Sequence, residues 1–337
     1  MAGNRKRPTR GTASESRYSL MEFTREFPDD AACLDYLWRA RYSSDGRHAD
    51  CPECKQRRMF KRYETAQQRQ SWSCTHCGHH LHPTAGTIFH KSSTALHLWF
   101  YAIYLITSTR CGISAKQLER EIGVGYKTAW RMFNLIRNSL MTETPAPLSG
   151  NVEMDETYVG GKPRAREIQA MARMGLGPMQ AGQAAARAKK TTVFGMVERG
   201  GKVVARVVPS EFQASAFGHI EAHILPASHI FTDEAAAYSA LARKGYAHRR
   251  IQHAARVYVD GDVHTQTIDG FWSLLKSGIR GVYHSVSAKW LQSYLDEYAW
   301  RYNHREHTER GTGQRRMPVG EAKFRLLLAR AAAPLAV

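Results

Sequence analysis

The sequence predicts a multidomain α/β chain: a small cysteine module, a helical segment, then a larger domain built on a mixed sheet. Three observations predict it. Two C-x-x-C pairs, Cys51/Cys54 and Cys74/Cys77, stand on either side of residues 55–73. Residues 92–141 carry apolar positions at helical spacing. From residue 151, short apolar runs bounded by Gly and Pro alternate with helical stretches in the order β-β-β-α-β-α-β-α. A chain of 337 residues has room for two domains and a smaller module.

Charge narrows the partners. Against 30 Asp+Glu stand 48 Lys+Arg, a net charge of +18. That balance implies a polyanionic partner, nucleic acid before an anionic membrane surface. The longest apolar run, LWFYAIYLI at 98–106, is far short of the roughly 20 residues of a spanning helix, so no membrane-spanning segment is expected. The opening MAGNRKRPTRGTASESR has no apolar centre and predicts a disordered basic arm, not a signal peptide. The expected setting is the bacterial cytoplasm, in association with the nucleoid, where thiols stay reduced.

The cysteines come next. Each pair offers two thiolates from a tight turn, and four such sulfurs can close on one structural Zn²⁺. Residues 46–91 therefore predict a zinc ribbon, with RMFKRYETAQQRQSWSC supplying two strands and a turn. The basic arm and a leading helix precede it, in residues 1–45. Two disulfides or four unrelated thiols are the alternatives, and His76, His79, His80 and His82 are nearby competing ligands. Cys33 and Cys111 are solitary and read as packed.

Between 92 and 141, Ser92-Ser93 is expected to cap a buried helix, TALHLWFYAIYLI. SAKQLEREIG, a Gly stop and GVGYKTAWRMFNLIR then follow the helix-turn-helix plan. In that plan Tyr126, Lys127, Thr128 and Arg131 sit at the end of the second helix that enters DNA, while Trp130, Phe133 and Ile136 face the core. An ordinary helical hairpin is the alternative. The Pro-containing stretch at 142–150 reads as a linker.

Residues 151–310 form the larger domain. NVEMDETYVGGK predicts a strand with Glu153 and Asp155 on one face and Met154 and Glu156 on the other. TTVFGMVERGGKVVARVVPS predicts a hairpin. SHIFTDEAAAYSALARKG predicts a strand running into a helix, with Asp233 at the strand's end. HTQTIDGFWSLLKSGIRG predicts a helix on which Asp269 and Lys276, two turns apart, share a face. This element order resembles a ribonuclease H-like fold. Carboxylates from separate elements, Asp155, Asp233 and Asp269, can converge on two Mg²⁺ ions, with Mn²⁺ as a substitute. Glu153 and Glu297 are fallback acids. The insertion at 163–190 reads as a mobile basic loop, YLDEYAWRYNHR as a core helix, and 311–337 as a charged tail with a terminal helix.

These motifs carry a resemblance. CPEC…CTHC, HPTAGTIFHKSSTALHLWF, MDETYVGGK, FTDEAAAY, HTQTIDGFWSLLKSGIRGVYHSVS and YLDEYAWRYNHR resemble the DDE-class insertion-sequence transposases with an N-terminal zinc ribbon, the ISXO-like group (IS-fifteen-ninety-five family). The resemblance runs from about Cys51 to Asn303. It implies a ribonuclease H-like catalytic core, binding of double-stranded DNA at terminal inverted repeats, cleavage there and strand transfer. It further implies a homodimer or higher synaptic assembly. Position by position, Asp155 and Asp233 match the first two metal-binding aspartates, Asp269 the third acid, and Lys276 the basic residue on DNA near the cut. One departure stands out: the family reads H-T-N-x-x-E where this chain reads HTQTID, so Gln266 replaces Asn and Asp269 replaces Glu. A site intact, retuned or disabled is compatible with that change. Besides an active transposase, the sequence therefore leaves open a non-catalytic DNA-binding protein or repressor of the same fold, and a structure-specific nuclease.

Overall fold

The computed structural model describes residues 18–63, 71–109, 111–209, 216–232, 241, 245–250, 264–305 and 319–335. The basic arm expected at the N-terminus lies outside the described residues. The chain divides into two units. One holds residues 1–110, 115–140 and 308–337; the other holds 111–114 and 141–307.

In the first unit, α1 (Leu20–Glu26) opens on a capping box in which Ser19 and Glu22 exchange side-chain-to-backbone hydrogen bonds. The helix α2 (Asp30–Arg41) follows. Its Trp38 stacks on Trp72, with centroids 4.8 Å apart, and so covers the cysteine module. That module is an antiparallel sheet of β1 (His48–Cys51), β2 (Gln56–Tyr63), β3 (Ser71–Cys74) and β4 (His80–Leu81), paired in sequence order. Three helices come next: α3 (Leu96–Ser108), α4 (Ala115–Ile122) and α5 (Tyr126–Leu135), the last running into a π-helical turn, Ile136–Leu140.

The expected cap on α3 is not used. Its N-cap is Ala95, and the Ser92 hydroxyl instead accepts from the Trp99 indole at 2.9 Å. The first turn is capped from another helix: the His97 N–H donates to Asp30 Oδ1 at 2.8 Å. A ring cluster of Tyr18, Phe23, Phe27 and Tyr104 receives Phe324 from the terminal helix, at centroid distances of 5.1, 5.9, 6.1 and 6.0 Å respectively.

The second unit is built on five strands: β5 (Asn151–Val159), β6 (Thr191–Glu198), β7 (Val203–Val208), β8 (His229–Thr232) and β9 (Ala247–Arg250). Their order is β7-β6-β5-β8-β9. The first three are antiparallel; β8 joins β5, and β9 joins β8, in parallel. The sheet is therefore mixed, with β5 in its middle.

Period-two alternation along β5 and β6 sends side chains to two cores. Val152, Met154, Phe194 and Met196 pack on one face with Ile220 of α8 (Ala216–His223) and with Ile224 just after it. On the other face Val159, Val193 and Val197 pack against α9 (Gln266–Gly278) and α10 (Ala288–Asn303). A π-helical turn, Ile279–Tyr283, extends α9.

Two segments differ from their sequence reading. Residues 163–190 form two helices, α6 (Ala165–Ala172) and α7 (Pro178–Ala188), not an irregular loop. Alanine favours helix, Pro178 sits at the first turn where it is tolerated, and Lys189 is ion-paired to Glu167 at 3.1 Å. The stretch at 142–150 contains Leu148, which is fully buried in the core facing α8. The last helix, α11 (Val319–Ala332), belongs to the first unit, because its apolar stripe of Phe324, Leu327, Leu328 and Ala331 is fully buried. No helix among the described residues is long and apolar enough to cross a membrane.

Candidate active site

The centre of the site is the middle strand. Asp155 lies on β5 opposite Gly195 of β6, on the face covered by α9. Its Oδ2 accepts from the Trp272 indole N–H at 2.9 Å, a bond that sets the carboxyl group's rotation. Trp272 reaches this position because Gly195 has no side chain. A Cβ there would sit 2.5 Å from Trp272 Cζ2 and 3.0 Å from Ile268 Cδ1. Asp269 is three residues before Trp272 and so on the same face of α9. It lies in the helix's first turn and is exposed; Lys276 lies in the last turn and is half-buried.

Glu153, two residues before Asp155, has a different role from the fallback acid suggested by its sequence position. It is fully buried. The N-cap residue of α9, Thr265, makes no side-chain cap bond. Glu153 supplies the cap instead: its Oε2 accepts from the backbone N–H of Thr267 at 2.7 Å and of Ile268 at 3.0 Å. Its Oε1 accepts from the Thr267 hydroxyl at 2.9 Å and from Arg199 Nε at 2.7 Å. A carboxylate at a helix N-terminus meets unsatisfied N–H groups and the positive end of the dipole. Arg199 adds a bond from Nη2 to the His264 carbonyl at 2.8 Å and lies over the Phe231 ring. His264 Nδ1 comes within 3.1 Å of Oε1 without hydrogen-bond geometry. Glu297 is likewise engaged in structure: it is buried, accepts from the Tyr283 hydroxyl at 3.0 Å and pairs with Arg301 at 2.9 Å.

Asp233 follows β8 in the sequence and lies outside the described residues. Of the three acids the structure describes two, Asp155 on the middle strand and Asp269 on the helix packed against it. Sequence reasoning missed Trp272, Gly195 and Arg199. Trp272 had a signal, its spacing of three from Asp269; the other two had none.

The four cysteines come together as expected. Their sulfurs lie within 4.8 Å of one another, the only such gathering of three or more ligand-type residues among the described residues. Cys51 and Cys77 are 3.5 Å apart and Cys54 and Cys74 3.9 Å. A disulfide needs about 2.05 Å, whereas sulfurs each about 2.3 Å from a tetrahedral centre lie about 3.8 Å apart. Each knuckle closes with a left-handed residue, Lys55 at φ +51° and Gly78 at φ +76°. Their N–H groups bond back to the carbonyls of Cys51 and Cys74. On α5, Tyr126, Lys127 and Arg131 are exposed and Thr128 is half-buried, while Phe133 and, in the π-helical turn that follows, Ile136 are buried.

Comparison with known proteins places the chain. A family profile described as the ISXO2-like transposase domain matches residues 147–303. An uncharacterized protein in transposable element ISH50 of Halobacterium salinarum is 31% identical over 261 residues, covering 74% of this chain and 84% of the relative. The chain belongs to the ISXO2-like transposase family. The profile spans β5 to α10, so the Asp155, Trp272 and Asp269 arrangement of this transposase-family chain lies inside the matched region. Among solved structures, a simian T-cell lymphotropic virus intasome in complex with a PP2A regulatory subunit aligns with a TM-score of 0.30 and 15% identity. It covers 59% of this chain and 67% of that one, too distant a likeness to bear on what this chain does.

Proposed function

We propose that this transposase-family chain is an active DNA transposase. It binds the terminal inverted repeats of its element, hydrolyses phosphodiester bonds at the ends, and joins the freed 3′-hydroxyl to target DNA. The observation that carries this reading is the hydrogen bond from Trp272 to Asp155, which anchors on the middle strand of the sheet the helix that carries Asp269. The strand order, three antiparallel strands followed by two parallel ones, supports a ribonuclease H-like domain. Asp155, Asp233 and Asp269 would hold two Mg²⁺ ions; when bound, such a pair activates the attacking oxygen and stabilises the leaving one. Lys276 contacts a phosphate near the cut. No Ser or Tyr nucleophile is required. Tyr126, Lys127, Thr128 and Arg131 present the recognition end of α5 to duplex DNA, and the protein acts as a dimer or larger assembly that cuts two ends together.

Asp269 decides between this and the second reading, a disabled DNA-binding protein. The test is strand transfer in Mg²⁺ on labelled DNA carrying the element's ends. Native protein is expected to react, Asp269→Ala to lose about 100-fold or more, and Asp269→Glu to keep or exceed native activity. A native chain that binds the ends and never cuts, beside a Glu variant that does cut, would establish the disabled protein.

The cysteine module is a zinc ribbon on this reading, its metal structural. Metal analysis of purified protein should return one zinc per chain, lost in Cys74→Ser. Native protein that folds with no bound zinc would refute the assignment.

A further inference from the structure

A groove of about 600 Å³ lies beside the end of β5, lined by Tyr158 and Lys162 on one side and Lys276, Arg280 and His284 on the other. None of its lining residues is acidic. Elsewhere in the same unit several cations are neutralised: Arg199 by Glu153, Arg206 by Asp296, Arg301 by Glu297, Lys189 by Glu167. No ion pair joins the groove's four basic side chains to any described residue. Uncompensated cations converging on one concavity call for an anionic ligand with several charges.

The groove also carries an apolar feature. Tyr158 is 57% exposed, an aromatic face that no packing explains. A basic groove with an exposed aromatic ring is the arrangement that holds single-stranded nucleic acid: cations follow the backbone and a base stacks on the ring. The volume falls within the range of small-ligand pockets, about 300–1,000 Å³, and suits a few nucleotides instead of a duplex.

The backbone of one wall is irregular in two successive ways. Ile279–Tyr283 is a π-helical turn, a feature frequent at functional sites. His284 then takes φ +61° and ψ −42°, with the Ser285 N–H donating to the Tyr283 carbonyl at 2.7 Å. That is a γ-turn of the rare, strained, positive-φ kind. Strain of this sort persists where the surroundings hold a side chain in a required place, and here the side chain is a groove imidazole. Opposite, Gly160 passes so close to Lys189 that a Cβ would meet its carbonyl oxygen at 2.5 Å.

We infer that this groove binds an unpaired DNA strand of a few nucleotides, with Tyr158 stacking a base and Lys162, Arg280 and His284 holding phosphates alongside Lys276. The inference rests on the DNA reading above and adds a ligand class to it: the chain takes DNA whose end has come unpaired.

The test uses the full-length chain and two fluorescent probes, a short blunt duplex and the same duplex with a single-stranded oligothymidine tail. Native protein should bind the tailed probe roughly tenfold more tightly. Tyr158→Ala should remove that advantage and Tyr158→Phe keep it. Lys162→Gln and Arg280→Gln should each lower the slope of log affinity against log salt on the tailed probe by about 0.7. A tail of 5-iodouridine should cross-link to the peptide containing Tyr158. No native preference for the tail, or a preference that survives Tyr158→Ala, overturns the assignment. Equal losses on both probes overturn it too, because the groove would then hold duplex backbone. A chain inactive in strand transfer that still discriminates the tail sinks the catalytic reading and leaves the groove standing; an active chain without discrimination does the reverse.

Discussion

Asp155→Asn is expected to abolish strand transfer while leaving the fold intact. Asparagine matches aspartate in shape, and its carbonyl oxygen can still accept from the Trp272 indole that Oδ2 accepts from at 2.9 Å. The packing of α9 on the sheet is then preserved. What disappears is the negative charge needed to hold a divalent ion, and metal stabilisation of a phosphodiester transition state is worth several kcal/mol. A loss of about 4 kcal/mol corresponds to about 10³-fold in rate. The measurement pairs strand transfer with a thermal unfolding scan. Unfolding within a few degrees of native and no detectable joining is the expected combination. Native activity in this variant would remove Asp155 from the site, and with it the argument that its face of β5 is where chemistry occurs.

Glu153→Gln should show the opposite balance, with stability hit first. Four donors converge on two carboxylate oxygens: Arg199 Nε, the Thr267 hydroxyl, and the backbone N–H groups of Thr267 and Ile268. A glutamine amide must turn its NH₂ toward one pair of those donors. It also leaves the Arg199 cation without its anionic partner. Breaking a buried pair on one side costs about 3 kcal/mol, because the remaining groups stay desolvated. Unfolding in denaturant should shift by that amount. Because Glu153 holds the first turn of α9, where Asp269 sits, strand transfer should also fall, by about 10–100-fold at temperatures where the variant remains folded. Unchanged stability would mean that the N-terminus of α9 is secured by other contacts, and that the acid is buried for a different reason.

Much of the architecture was legible because it is local. The hairpin of β6 and β7 is written in two apolar runs around Arg-Gly-Gly-Lys, and the knuckles of the cysteine module in two C-x-x-C pairs. The shared face of Glu153 and Asp155 follows from the strand period of two, and both do meet α9. The departures have a common cause. Helices α3 and α9 lack side-chain caps of their own and take them from Asp30 and Glu153, residues distant in the sequence. No local pattern encodes a cap carried by another element. The insertion at 163–190 departs for a different reason: its glycines favour a loop, while the alanines around them favour helix and two of them, Ala181 and Ala185, are buried.

The same division holds for the site. By itself the sequence determined which residue types are present and at what spacing: four cysteines in two turns, an acid on a strand, an acid and a lysine two helical turns apart. Those are properties of short segments, set by dihedral geometry. Only the tertiary structure decided what each of them faces. It set Trp272 over Gly195 and against the strand acid, buried Glu153 as the cap of α9, and gathered Lys162, Lys276, Arg280 and His284 around an exposed tyrosine. Desolvation, pairing and proximity depend on chain segments far apart in the sequence, and they are fixed when the sheet and its helices pack.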